Sequence, residues 1–183
     1  MEIIKTPNEI DSYYDFKIRD KEKVLNIFFA GNLDLYMMLG NGEIIPDNKN
    51  VALSFNITKD NLEIYELFRK LYKNIINGNI SNEHNYKDSL EYKKLVDDNK
   101  NITWISDDGP IDSEDILVIS LVDEIINLKF IRRSKLMEFK MKNPMAISIR
   151  IRNARSKYKP FNAIFMDLYN DLQQIDNNKI LKK

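Results

Sequence analysis

Eleven basic residues stand between Lys129 and Lys159, with Glu138 alone opposing them. Cations at that density suit phosphate, because each neutralised phosphate releases a condensed counterion. The run ends in Arg152-Asn-Ala-Arg155-Ser-Lys157-Tyr158-Lys159-Pro160-Phe161. This segment should deliver cations and an aromatic ring to the start of a helix, where free N–H groups and partial positive charge favour anions. Tyr158 is expected to lie among these cations with its ring available to a base. Upstream, Glu83 to Glu124 holds twelve acids against four lysines. The zero net charge of the 183 residues therefore conceals a strong separation along the chain.

Other chemistry finds little support. His84 is the sole histidine and falls in a polar stretch, so a histidine-based triad or metal site would depend on it alone. The absence of cysteine excludes disulfides, thiolate metal ligands and cysteine nucleophiles, and suits a reducing cytoplasm. Asp107-Asp108-Gly-Pro-Ile-Asp112-Ser-Glu114-Asp115 is acidic, but it lacks the alternating ligands of a calcium loop, and its Asp108-Gly-Pro reads as a hairpin turn between two strands. Five glycines leave little room for a phosphate-cradling loop. The expectation is a non-enzymatic protein with no catalytic residues, metal or cofactor.

The elements that must carry the basic run repeat. Val51-Ala-Leu-Ser-Phe-Asn-Ile57 matches Met145-Ala-Ile-Ser-Ile-Arg-Ile151, both alternating with the period of a half-buried strand. Each leads into an amphipathic helix, and Phe68, Leu71, Tyr72 and Ile75 correspond to Phe165, Leu168, Tyr169 and Leu172. Working back, Leu33, Leu35 and Met37 align with Ile126, Leu128 and Phe130. Leu25, Ile27 and Phe29 align with Leu117, Ile119 and Leu121, and Tyr14 and Phe16 with Ile102 and Trp104. Five elements in one order imply an internal duplication. The fold class is α+β, with a four-stranded antiparallel sheet plus helix (ββββα) occurring twice. The single domain 1–183 divides into a first copy at 12–77, a polar linker at 78–100, a second copy at 101–175 and a tail at 176–183. The linker could hold a short helix between Tyr86 and Val96. Thr58 is expected to cap the first helix, Gly78 to follow its end, and Pro160 to open the second helix. A hairpin turn is expected at Ala30-Gly31-Asn32.

Two twisted sheets around both helices would bury the apolar faces. With Ile147, Ile149 and Ile151 inward, Ser148, Arg150 and Arg152 point out; with Ile126, Leu128 and Phe130 inward, Asn127, Lys129 and Arg133 point out. The first copy offers Phe28, Asp34, Tyr36, Met38, Ser54 and Asn56 outward. On this reading the second sheet has a basic outer face, with Lys129, Arg133, Arg150, Arg152, Arg155, Lys157, Tyr158 and Lys159 as nucleic-acid contacts.

Tandem four-strand-plus-helix units resemble the architecture of the Whirly and Pur-alpha class of single-stranded-DNA-binding proteins. The resemblance lies in element order over residues 12 to 175 and in no sequence motif. It implies paired central helices and outer sheet faces that take single-stranded DNA or RNA. The alternative is a protein-interaction module of bacterial or phage origin (an inhibitor, immunity or regulatory protein), or a homodimer in which basic and acidic patches meet. A merely solvated charged face would also explain the basic run. No apolar stretch reaches the roughly 18 residues of a membrane span, and no secretion signal is apparent, so a cytoplasmic location is expected.

Overall fold

The computed structural model describes residues 1–8, 13–30, 34–40, 43–47, 50–80, 86–106, 113–134, 146–152 and 158–175. Alternating segments form the strands, because alternation puts one set of side chains in the core and the other outside. They are β1 (Glu2–Pro7), β2 (Tyr14–Asp20), β3 (Lys23–Ala30), β4 (Asp34–Gly40), β5 (Glu43–Asp47), β6 (Asn50–Ile57), β7 (Ile102–Ser106), β8 (Ser113–Val122), β9 (Ile125–Ser134) and β10 (Ala146–Ile151). They build two five-stranded antiparallel sheets, ordered β1-β2-β3-β4-β10 and β5-β6-β9-β8-β7. Phe16, Ile18, Leu25, Ile27, Leu35, Met37 and Leu39 line the inner face of the first sheet. Leu53, Phe55, Ile57, Leu117, Ile119, Leu128 and Phe130 line that of the second.

The expected α+β duplication is present, with an exchange that the sequence did not disclose. The fourth strand of each copy leaves its own sheet. β6 pairs with β9 of the second copy, and β10 pairs with β4 of the first. The halves are thus interleaved by their backbone ladders.

The ladders also correct the alignment of the copies. The hairpin β3–β4 closes on Ala30↔Asp34 and β8–β9 closes on Val122↔Ile125. Counted from these pairs, Leu35, Met37 and Leu39 correspond to Ile126, Leu128 and Phe130. The closing pairs Asp20↔Lys23 and Ser106↔Asp115 likewise match Phe16 and Ile18 with Ile102 and Trp104. The sequence alignment was two residues out in both strands. A two-residue slip keeps the same side chains inward, so hydrophobic alternation does not register it.

Two strands were not anticipated. In β1 and β5, Ile3-Ile4 and Ile44-Ile45 sit side by side, which breaks the alternation. Both strands lie at sheet edges, and there Pro46 removes no donor that an inner ladder would need. Each expected four-stranded sheet therefore has five strands.

The helices α1 (Leu62–Ile76) and α3 (Lys159–Gln173) pack together inside the sheets. α1 buries Ile64, Tyr65, Phe68, Leu71, Tyr72 and Ile75, and α3 buries Phe161, Ile164, Phe165, Leu168, Tyr169 and Leu172. Each large side chain withdrawn from water this way contributes about 1.5–3 kcal/mol. α3 bridges both sheets: the Tyr169 ring meets Phe16 at 5.4 Å, and Phe165 meets Trp104 at 4.8 Å.

The cap of α1 is Asn61, whose side chain accepts from the Ile64 N–H at 3.1 Å. Thr58 was the wrong candidate. It precedes a 3₁₀ turn at Lys59–Asn61 and its hydroxyl donates to Asp60. Gly78 follows the helix at φ +61°, a left-handed conformation that glycine tolerates, and its N–H donates to the Ile75 carbonyl. Pro160 lies in the first turn of α3. The linker carries a 3₁₀ turn at Tyr86–Asp88 and the helix α2 (Leu90–Leu95). It is tied to α1 by Tyr92, which donates to the Ile76 carbonyl, and by Tyr72, which donates to the Lys100 carbonyl. Among the described residues, no helix is long and apolar enough to cross a membrane.

Candidate nucleic-acid interface

The outer face of the first sheet takes its side chains from the alternate positions of five strands. Phe28 of β3 lies opposite Tyr36 of β4, which lies opposite Arg150 of β10. The two rings stack at 5.5 Å with 9° between their planes, and the Arg150 guanidinium sits 5.9 Å from the Tyr36 centroid. Asp34 holds that guanidinium, accepting from Nε at 2.7 Å. Asp34 is only 6% exposed, and so it holds the guanidinium head group against the sheet. A backbone bond fixes the strand itself: the Arg150 N–H donates to Ser106 Oγ, on the edge strand of the second sheet, at 3.0 Å. The result is a row of ring, ring and guanidinium across three strands.

β2 extends this face with Lys17 and Arg19, both exposed. Asp15 precedes them on the same face. Partial burial pushes its carboxyl above the ordinary value, and the nearby Lys17 charge offsets part of that. Lys17 and Arg19 were missed as candidates, although the alternation Tyr14-Asp-Phe16-Lys17-Ile18-Arg19 carries the signal.

The strand exchange divides the expected basic strip. Arg150 belongs to the first sheet and Arg152 follows the end of its strand with a buried Nε, whereas Lys129 and Arg133 project from β9 in the second. They do not share a face. Lys129 lies opposite Ser54 and Val118, and Arg133 lies opposite Asn50 and Glu114. Arg132 has the inward parity and forms a two-pronged ion pair with Asp115 at 2.8 and 3.0 Å. Asp115, the last residue of the acidic segment, belongs to β8.

Tyr158 is a further correction. It is 1% exposed and packs on Trp104 at 4.8 Å, so its ring is core and cannot meet a base. An aromatic among cations reads as surface in sequence, but here it begins the helix that plugs the core. Lys159 is exposed at the first position of α3. Arg155 and Lys157 lie outside the described residues, as do His84, Asp107, Asp108, Asp112, the Gly31-Asn32 turn and the tail from 176. The Arg152 carbonyl accepts a hydrogen bond from the Asn162 side chain, which ties the end of β10 to α3.

The outer face of the second sheet differs. Ile105, Ile116, Ile131 and Ala52 form one cross-strand row, in which Ile116 and Ala52 are buried. Nearby, the Asn127 amide donates to Ser54 Oγ and to Asn56 Oδ1, each at 2.6 Å. Among the described residues, no cluster of three or more His, Asp or Glu side chains could hold a metal ion.

With this geometry in view, the chain matches no family model, no curated protein and no solved structure. The reading of its function therefore rests on its own residues.

Proposed function

We propose that this is a non-enzymatic, cytoplasmic binding protein that takes single-stranded nucleic acid on the outer face of its first sheet. The observation that carries the reading is the row Phe28–Tyr36–Arg150, held by Asp34. Side-by-side rings on a sheet surface offer π faces to unstacked bases, and flanking cations meet the backbone phosphates. Only a single strand has bases free to lie on such rings. Arg150 and Arg152 remain contacts in this reading, joined by Lys17 and Arg19, while Lys129 and Arg133 lie on the other sheet. The resemblance in element order to Whirly and Pur-alpha proteins points the same way.

The test is a fluorescence-anisotropy titration of labelled single-stranded DNA and RNA. Binding should be measurable at low salt and weaken as salt rises, with a slope of roughly 0.7 per phosphate contact. Tyr36→Ala should lower affinity with the slope intact, since stacking releases no counterions. No change of signal at low salt would defeat the proposal.

A second reading, a protein-interaction module, draws support from Ile105 and Ile131, the half-buried members of the apolar row across the other outer face. It would take precedence if no oligonucleotide bound and sedimentation showed a dimer that Ile131→Asp dissociates.

A further inference from the structure

The duplication makes each outer face the counterpart of the other, and the ladders say which positions correspond. Counted from the closing pairs Ala30↔Asp34 and Val122↔Ile125, Phe28 corresponds to Ser120 and Tyr36 to Asn127. The exchanged strands complete the match: Arg150 lies opposite Tyr36, and Asn56 lies opposite Asn127. Ring, ring and guanidinium on one sheet are thus hydroxyl, amide and amide on the other. The amides are occupied with each other and with Ser54, since Asn127 Nδ2 donates to both Asn56 Oδ1 and Ser54 Oγ. That cluster offers no π surface and no charge for a phosphate.

On the first sheet the row also has a direction. One side of the Tyr36 ring meets Phe28 and the guanidinium of Arg150 lies over the ring as well. The Phe28 ring is half-buried, and its other side turns away from β4 toward β2, because β3 lies between those two strands. β2 carries the exposed Lys17 and Arg19 on that face. On β2, Lys17 lies opposite Asn26 and Arg19 opposite Val24, and the same register sets Asp15 beside Phe28, so a strand stacked on Phe28 and running along β2 away from Asp15 would bring its phosphates over the two cations.

We infer that the chain carries one nucleic-acid site and not a symmetric pair: a single strand stacks on the β2 side of Phe28, and Lys17 and Arg19 contact its phosphates. The inference rests on the function proposed above and adds the stoichiometry, the stacking residue and the phosphate contacts. It also says that the two copies have diverged at matching positions, one face keeping a row of two rings and a guanidinium where the other has a hydroxyl and two amides, with Lys129 and Arg133 elsewhere on that second face.

The experiment uses the full chain and a labelled oligothymidylate short enough to cover one face. A titration well above the dissociation constant should end at one strand per chain. Phe28→Ala should weaken binding roughly ten-fold, within the range that one base–aromatic stack contributes, and Phe28→Trp should restore it. Lys17→Gln with Arg19→Gln should lower the salt slope by roughly 1.4, two contacts at about 0.7 each. Asn56→Ala with Asn127→Ala should leave affinity and stoichiometry unchanged. Thermal melts of each variant separate binding from folding, and Phe28→Leu, which keeps apolar bulk without a ring, should show the same loss if Phe28→Ala fails to fold. Two strands per chain, or full binding by a folded Phe28→Ala protein, would overturn the inference while leaving the proposed function standing. No binding by the unmodified chain would remove both.

Discussion

Ser54 and Ser148 hold the same place in the two repeats, yet each lies beside a strand of the other repeat: Ser54 opposite Lys129, and Ser148 opposite Met38. The β6–β9 ladder runs through eight residue pairs, from Asn50↔Arg133 to Ile57↔Ile126. Its counterpart runs from Ala146↔Gly40 to Ile151↔Leu35. Neither copy contains a complete sheet, and an incomplete sheet leaves unpaired backbone groups and an uncovered apolar face.

Fragments 1–80 and 86–183 should accordingly be unfolded or aggregated when prepared separately, and should fold together when mixed. Circular dichroism of each fragment and of the mixture tests this. A cooperative melt from 1–80 alone would show that the exchange is dispensable.

Leu71 and Leu168 are 2% and 3% exposed and line the same contact between α1 and α3. Leu71→Ala and Leu168→Ala should each cost roughly 2–5 kcal/mol in denaturant unfolding. Because both line one contact, the double variant should lose a different amount from the sum of the single ones, by about 0.5 kcal/mol or more. Strict additivity would indicate that the helices do not meet there.

Asp115 is 2% exposed and its partner Arg132 has a largely buried side chain. Asp115→Ala would strand the guanidinium and should cost about 3–5 kcal/mol. Replacing the pair together, Asp115→Leu with Arg132→Met, should recover most of that loss. The exposed pair Lys59–Glu124, 2.7 Å apart, should behave differently: Glu124→Gln should leave the melt nearly unchanged, because solvent screens it.

The burial of Tyr158 against Trp104 gives an optical test. Trp104, the single tryptophan, is 1% exposed, so native emission should be blue-shifted and should move red on unfolding. Tyr158→Ala should destabilise by about 3–5 kcal/mol, as an aromatic truncation in a core does. If instead the variant melted normally but bound nucleic acid less well, the surface role expected from the sequence would return.

Burial raises the phenol of Tyr169 above its ordinary value of 10.0, and raises those of Tyr72 and Tyr92 likewise. In each case the folded chain holds the proton more tightly than the unfolded chain does. Their contribution is therefore fully present below the unfolded value of 10.0 and is lost as pH rises through the raised folded values. Alkaline unfolding should begin above that value, with tyrosinate absorbance and loss of circular dichroism rising together. Tyr169 also accepts from the Tyr14 N–H and donates to the Tyr14 carbonyl. Tyr169→Phe should cost about 1–3 kcal/mol at neutral pH and make the alkaline loss shallower. Tyrosinate absorbance that rises well before unfolding and disappears in Tyr169→Phe would show that phenol to be solvated.

By itself, the sequence determined the α+β class, the order of the repeated elements and the direction in which the side chains of the repeated strands point. Phe28, Tyr36 and Arg150 all face outward as alternation requires, because side-chain direction is a local property of an extended backbone. The helix stripes were equally legible, since Leu71 and Leu168 follow from spacing alone. The tertiary structure decided which strands are neighbours. Ladder pairing depends on contacts between distant residues, and strands of the same pattern can exchange partners without altering any local signal. That exchange brought Arg150 beside Tyr36 and separated it from Lys129, which moved the candidate interface from the second copy's sheet to the first. Tertiary packing also decided the fate of Tyr158: its charged neighbours suggested a surface residue, but the ring falls where α3 enters the core, and burying it against Trp104 removes more apolar surface from water than leaving it outside.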